Sequence, residues 1–124
     1  MDIYAQNILD HYKNPRNQGS IKNPSLTHKE SNTTCGDSIE IDLKIVKDSV
    51  KDLKFRGEGC AISQAAISIL SEYIIGKKIK DIEKMEEREA VTLLGIEVSE
   101  RRRYCATLGF LAVKKALKNF KPSK

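Results

Sequence analysis

Residues 38–57, SIEIDLKIVKDSVKDLKFRG, contain two stretches in which apolar and polar side chains alternate. The apolar positions of these stretches are Ile39, Ile41, Leu43 and Ile45, followed by Leu53 and Phe55. Alternation of this kind is typical of strands that bury one face. The segment VKDSVKD lies between the two stretches and predicts a turn, so we expect the two strands to form a hairpin.

Helical patterns lie on both sides of this hairpin. The sequence predicts an amphipathic helix over 2–13 with Asp2 as its N-cap, and a helix over 61–75 that Gly76 ends. It also predicts a charged helical segment at 81–90 and a last helix over 99–120. SLTHKES, residues 25–31, is expected to add an edge strand. We therefore predict one α+β domain over 1–124, a small antiparallel three-stranded sheet with helices packed on it.

Composition narrows the class of protein. The chain has 124 residues, is 40% hydrophobic and 31% charged, and carries a formal net charge of +5. No stretch approaches the roughly 18 apolar residues of a membrane span, and no secretory signal is visible. An odd number of cysteines argues against a disulfide framework. We therefore predict a cytoplasmic protein in a reducing compartment, where thiols often bind metal or react.

The three cysteines occupy distinct positions in the predicted elements. Cys35 lies in the loop TTCGD before the first hairpin strand, Cys60 opens a helix after GEG, and Cys105 lies in the second turn of the last helix. Helix starts favour a thiolate, and three arginines at 101–103 precede Cys105. Each cysteine could instead be a small buried apolar residue, and Asp37 could be an ordinary turn residue.

If the three thiols converge with Asp37, they make a set of four ligands. Such a set suits tetrahedral zinc and could also hold an iron–sulfur cluster. A carboxylate oxygen is a harder donor than sulfur, so we expect Asp37 to be the labile position of such a site. We interpret GEG as a turn that lets backbone N–H groups approach a metal-bound sulfur.

Other features point to less specific roles. We expect His11 to be a surface or partner-facing residue of the first helix rather than a ligand, and His28 to be a strand or loop residue. The lysines near the C-terminus are expected to form a solvated helix face. A nucleic-acid-binding surface would combine basic residues with aromatics, and the seven aromatics of this chain show no such pattern.

Four short motifs in register resemble the iron–sulfur cluster assembly scaffolds of the IscU, SufU and NifU N-terminal type. These motifs are ILDHYKNPRNQG at 8–19, CGD at 35–37, GEGCAIS at 57–63 and CATL at 105–108. The resemblance covers nearly the whole chain. It implies a scaffold that accepts sulfur as persulfide from a cysteine desulfurase, transiently assembles a [2Fe–2S] cluster and passes it to acceptor proteins. It also implies that Cys35, Asp37, Cys60 and Cys105 are the ligands, and that Zn²⁺ can occupy the same site.

The chain departs from individual branches of that family. Members of the IscU type carry a His before the third cysteine, where this chain has Tyr104, and an LPPVK segment where this chain has VSERR. The second difference argues against docking of an Hsp70-type chaperone. CAIS and CATL resemble SufU-type members, in which a basic residue near the third cysteine replaces the His. Arg101, Arg102 or Arg103 could take that role, with Arg102 favoured. SufU-type members usually have an insertion between the second and third cysteines, and residues 61–104 leave no room for it.

Three hypotheses follow for the function. The first is a cluster scaffold, the second is a zinc-dependent sulfurtransferase that activates a cysteine desulfurase, and the third is a structural zinc or nucleic-acid-binding domain without turnover. Cys35, in a glycine-containing loop, and Cys105, beside the arginines, are the candidate persulfide acceptors. The sequence leaves the choice between these two thiols open.

Overall fold

A computed structural model describes residues 3–32 and 36–120, with only the backbone of Arg101. Over these residues the chain forms five helices and three strands, which confirms the expected α+β class. In chain order the elements are α1 (Ile3–Lys13), β1 (Leu26–Asn32), β2 (Asp37–Val46), β3 (Ser49–Glu58), α2 (Ala61–Ile74), α3 (Ile79–Glu83), α4 (Glu87–Thr92) and α5 (Glu100–Asn119).

The sheet is antiparallel in the order β1-β2-β3, and β1 is the expected edge strand. The hairpin turn between β2 and β3 is shorter than VKDSVKD suggests, because Lys47 and Asp48 alone connect the strands. Both residues have positive φ, 52° and 62°, which matches the twist of a two-residue hairpin loop. Consequently β3 begins at Ser49, and Val50 joins the buried face of the sheet.

One face of the sheet packs against α2 and α5 and forms the main core. The apolar residues that alternate along β2 and β3 are buried there with residues of both helices, including Ile41, Leu43, Leu53, Phe55, Ile67, Ile74, Leu108 and Val113. Gly109 lets α5 approach α2 closely, because a Cβ at this position would lie 3.0 Å from Ile67 Cβ. The helix pair therefore has a fixed packing that holds the first turns of α5 beside the start of α2.

The predicted boundaries of α2 and α5 are confirmed within one or two residues, whereas the segment between them differs from expectation. Two short helices, α3 and α4, replace the single charged helical segment predicted at 81–90. The ammonium of Lys114 on α5 donates to backbone oxygens at the end of α3, 3.4 Å from Ile82 O and 3.1 Å from Met85 O. Lysine at a helix end satisfies carbonyls that lack helical partners.

The N-terminal motif at 8–19 attaches α1 to the rest of the fold. Arg16 N–H donates to Ser68 Oγ of α2 at 2.8 Å, and the Asn17 side chain donates to Ser71 Oγ at 2.8 Å. Backbone hydrogen bonds then pair Asn17 and Gly19 with Phe55 on the outer edge of β3. The motif is therefore a structural connection between α1, α2 and the sheet. Asp2, the expected N-cap of α1, lies outside the described residues.

The buried carboxylate of Asp42 on β2 anchors the segment that precedes β1. It accepts hydrogen bonds from Ile21 N–H at 3.0 Å, Thr27 Oγ1 at 2.8 Å and the Arg56 guanidinium at 3.1 Å. Burial opposes ionisation of Asp42, but these hydrogen bonds and the Arg56 charge outweigh it and lower the pKa of this carboxyl below its usual value. The ionised Asp42 therefore stabilises the approach to β1.

Among the helices that the structure describes, none is both long and apolar enough to cross a bilayer.

Candidate metal centre

Asp37 is the first residue of β2 and pairs with Asn32, the last residue of β1. It continues the alternation of Ile39 and Ile41, so its side chain falls on the buried face of the sheet, and only 3% of the residue is exposed. Its Oδ1 accepts a hydrogen bond from Cys60 N–H at 3.1 Å. A polar turn residue would face solvent, so the alternative reading of Asp37 as an ordinary turn residue is wrong.

Cys60 is the N-cap residue of α2, as the sequence predicted, and is half-buried. Its Sγ lies 4.0 Å from Asp37 Oδ2. The backbone carbonyl of Cys60 accepts hydrogen bonds from Ser63 Oγ at 3.0 Å and from Gln64 N–H at 3.1 Å. These bonds fix the start of the helix and with it the direction of the thiol.

Cys105 lies in the second turn of α5, which begins after the N-cap residue Ser99. It is buried, with 5% exposed, and the packing of α5 on α2 brings it to the end of the sheet where Asp37 and Cys60 lie. One ligand atom from each of these three residues lies within 4.8 Å of the others. Three elements that are distant in sequence therefore bring two thiols and a carboxylate together.

Cys35, the remaining candidate ligand, lies outside the described residues. The described residues on either side of this gap are Asn32, the last residue of β1, and Gly36, which precedes Asp37.

The donor set fits a metal ion that prefers sulfur. Zinc bonds of about 2.3 Å to sulfur and about 2.0 Å to oxygen place the donors of a tetrahedral site about 3.5 Å apart. Small side-chain rotations would bring Asp37, Cys60 and Cys105 from their observed separations to that spacing. Two thiolates with a carboxylate also suit iron, whereas they are poor ligands for magnesium or calcium.

The described residues just before Cys105, at positions 102–104, are exposed. Tyr104 is 65% exposed. Arg103 forms an ion pair with Glu87 of α4, with Nε 3.2 Å from Oε1. Arg102 is exposed, and its backbone N–H donates to the side chain of Ser99, the N-cap residue of α5. A role for Arg102 near Cys105 stays a prediction.

The expectation that His11 lies on the surface is wrong. The residue is 4% exposed, its Nδ1 is 2.7 Å from Ser68 Oγ, and its Nε2 is 3.5 Å from Glu72 Oε1. Burial and the charge of Arg16 lower the pKa of His11, and Glu72 and Asp10 oppose this shift only in part. A histidine on an otherwise mixed helix gave no sequence signal that α2 would offer a buried hydroxyl partner.

The prediction that GEG forms a turn and directs backbone N–H groups to a sulfur is wrong. Glu58 ends β3 rather than forming a turn, and the Cys60 amide donates to the Asp37 carboxylate rather than to a sulfur. Gly59 contributes by lacking a side chain, because a Cβ there would lie 3.0 Å from Asp37 Oδ1. The sequence shows the glycine, but only the fold shows which group occupies the space beside it.

Comparison with known proteins assigns the chain to a family. The model of the NifU-like N terminal domain matches residues 3–124, and the chain belongs to this family.

Two relatives bear different functional names. The zinc-dependent sulfurtransferase SufU of Bacillus subtilis is 36% identical, with 93% of this chain and 89% of the relative covered. The iron-sulfur cluster assembly scaffold protein IscU of Thermotoga maritima is 34% identical, with 94% and 93% covered. Both alignments extend over 132 positions, more than the 124 residues of this chain, so both relatives carry residues that this chain lacks.

A solved structure extends the likeness to three dimensions. The structure of a putative iron-sulfur cluster assembly scaffold protein for the SUF system from Fervidobacterium islandicum AW-1 has a TM-score of 0.75 and 26% identity. The match covers 94% of this chain and 96% of that chain.

Proposed function

We propose that this chain is an iron–sulfur cluster assembly scaffold, acting as one domain over 1–124 in the cytoplasm. The observation that carries the proposal is the convergence of Asp37, Cys60 and Cys105 within 4.8 Å. Cys35 is two residues from Asp37 in sequence, and that length of chain cannot exceed about 7 Å between the two Cα atoms. Cys35 therefore supplies the third thiolate, and the four residues hold a [2Fe–2S] cluster as cargo.

The chain's own residues accept the sulfur. A thiolate, Cys35 or Cys105, attacks the outer sulfur of a persulfide on a cysteine desulfurase. The sulfur–sulfur bond of the donor breaks, the donor leaves as a thiolate, and a persulfide forms on this chain. Cys105 is buried, which limits its access to a partner's active site, so Cys35 is the better first acceptor. A thiol or protein reductant then supplies two electrons for each sulfur that becomes sulfide.

The second candidate function is a zinc-dependent sulfur acceptor that stimulates a cysteine desulfurase. Its support is the relative named zinc-dependent sulfurtransferase, at 36% identity, together with a donor set that suits zinc. When bound, zinc would keep the thiols deprotonated at neutral pH. The same four residues, Cys35, Asp37, Cys60 and Cys105, would hold the ion, and Cys35 would leave it to accept the sulfur.

Anaerobic purification followed by metal analysis and reconstitution separates the two functions. The chain is incubated with ferrous iron, cysteine and a cysteine desulfurase, and visible absorption and circular dichroism are recorded. Two iron and two sulfide per chain, transferable to an apo-ferredoxin, support the scaffold. Zinc that resists replacement, no cluster, and faster desulfurase turnover support the sulfur acceptor. A chain that binds neither metal nor sulfur would contradict both.

A further inference from the structure

The two oxygens of Asp37 have different surroundings. Oδ1 accepts the hydrogen bond from Cys60 N–H at 3.1 Å, whereas Oδ2 faces Cys60 Sγ at 4.0 Å. The backbone therefore engages one oxygen and leaves the other directed toward the Cys60 thiol. Because Asp37 is 3% exposed, its carboxylate has little space in which to adopt another orientation.

Gly59 provides the space that this orientation requires. A Cβ built on Gly59 would lie 3.0 Å from Asp37 Oδ1 and 3.1 Å from Asp37 Cγ, closer than ordinary van der Waals contact, and it would overlap Ser63 Oγ. The φ angle of Gly59 is not in the left-handed region. The position therefore requires the absence of a side chain rather than the backbone freedom of glycine.

We infer that Gly59 is a positioning residue of the metal centre, which lets Asp37 rest against the Cys60 amide and bind metal through one oxygen only. This inference rests on the proposed function, since it concerns how the same centre is built. A side chain at position 59 would displace the carboxylate, weaken its hydrogen bond to the amide and shift Oδ2 relative to the Cys60 thiol. A carboxylate bound through one oxygen, with the other held by backbone, can leave the ion without leaving its place in the fold.

A general packing role for Gly59 must be separated from this specific one. Ser63 Oγ is the nearest atom to the added Cβ, and Ser63 also donates to Cys60 O. The variant Ser63→Ala removes that hydroxyl, so the Asp37 carboxylate remains as the close contact of a Cβ at position 59. Comparing Gly59→Ala/Ser63→Ala with Ser63→Ala therefore isolates the contact with Asp37.

The test measures binding of Zn²⁺ by chelator competition and the visible spectrum of bound Co²⁺, which reports ligand geometry. We expect Gly59→Ala in the Ser63→Ala background to weaken Zn²⁺ binding at least tenfold and to change the Co²⁺ bands. In a background that also carries Asp37→Ala, the same substitution is expected to change affinity less than twofold. Thermal unfolding without metal monitors the fold of each variant.

Equal affinity with and without Gly59→Ala would overturn the inference, as would an equal loss in the Asp37→Ala background. Amide hydrogen exchange at Cys60 in the zinc-loaded parent tests the same geometry without a substitution. Protection of that amide supports the inference, and exchange at the rate of an exposed amide contradicts it. A parent chain that binds neither Zn²⁺ nor Co²⁺ would instead overturn the proposed function.

Discussion

At the scale of single residues, Asp37 differs from the other proposed ligands in its chemistry. Its oxygen is a harder donor than the thiolates of Cys60 and Cys105, and it exchanges more readily with water and incoming ligands. The proposed ligand set would therefore combine soft donors that retain a metal with one position that can open. This combination suits a centre that must release what it binds.

We predict that Asp37→Ala makes an assembled cluster more persistent, because the labile oxygen ligand is lost. The measurement is the decay of cluster absorption on addition of an apo-acceptor or an iron chelator. The control is Asp81→Ala, which removes an exposed carboxylate on α3. Its cluster should decay at the rate of the parent's cluster. Faster decay in Asp37→Ala than in the parent would refute the assignment of Asp37 as the release position.

Cys105 is predicted to be indispensable for metal binding despite its burial. Replacing it with serine substitutes a weak neutral oxygen donor for a thiolate, so bound zinc after dialysis should fall at least tenfold. The control is thermal unfolding without metal, which shows whether the variant still folds. Unchanged zinc in Cys105→Ser would remove Cys105 from the centre.

At the scale of elements, the buried His11 of α1 contacts Ser68 of α2 and connects the two helices. The charged groups around this imidazole are Asp10 on α1, Arg16 in the following segment and Glu72 on α2. Since burial lowers the pKa of His11 below the ordinary value of about 6.5, the unfolded chain binds the proton more readily than the folded chain. The neutral imidazole therefore contributes stability that is complete above that ordinary value and is lost as the pH falls through the folded pKa.

We predict a flatter dependence of stability on pH for His11→Asn than for the parent between about pH 7 and 5. Asparagine can keep a hydrogen bond to Ser68 but does not titrate. Urea unfolding at several pH values gives the comparison, and His28→Asn serves as the matched control because His28 is only half-buried. Identical slopes for His11→Asn and the parent would show that His11 does not link folding to pH.

The sequence predicts elements better than it predicts the surroundings of single side chains. Alternation along β2 and β3 identifies the buried face correctly, because a strand has only two faces. The periodicity of α1 is less decisive, since Ile8 is buried while Leu9 and Tyr12 are 40% and 47% exposed. The partner of a helix decides which part of an apolar stripe it covers, and that partner is 50 or more residues away.

The candidate centre could likewise be predicted only in part from the sequence. Resemblance to a family could nominate the ligands, but spacing alone could not bring Cys105 to Asp37 across the chain. That meeting depends on how α5 packs against α2, including the close approach at Gly109. Gly59 gave no signal of its contact with Asp37, because a glycine in sequence does not reveal which atom fills the space beside it.

At the scale of the whole molecule, the centre joins the start of β2, the start of α2 and the second turn of α5. A ligand that binds only the folded chain stabilises it by about 2.7 kcal/mol at one hundred times its dissociation constant. Zinc at that excess should therefore raise the unfolding temperature by roughly 10 °C for a domain of this size. Cys60→Ser should lose most of this increase, and an equal increase in both proteins would place the ion elsewhere.

We propose that Cys35, Asp37, Cys60 and Cys105 bind one ion together. X-ray absorption at the zinc edge of the zinc-loaded chain tests it most directly, because sulfur and oxygen neighbours give distinct distances. We expect three sulfur atoms at about 2.3 Å and one oxygen at about 2.0 Å. In Asp37→Ala the three sulfur atoms should remain. Two or fewer sulfur neighbours in the parent, or a dominant shell of nitrogen and oxygen, would contradict it.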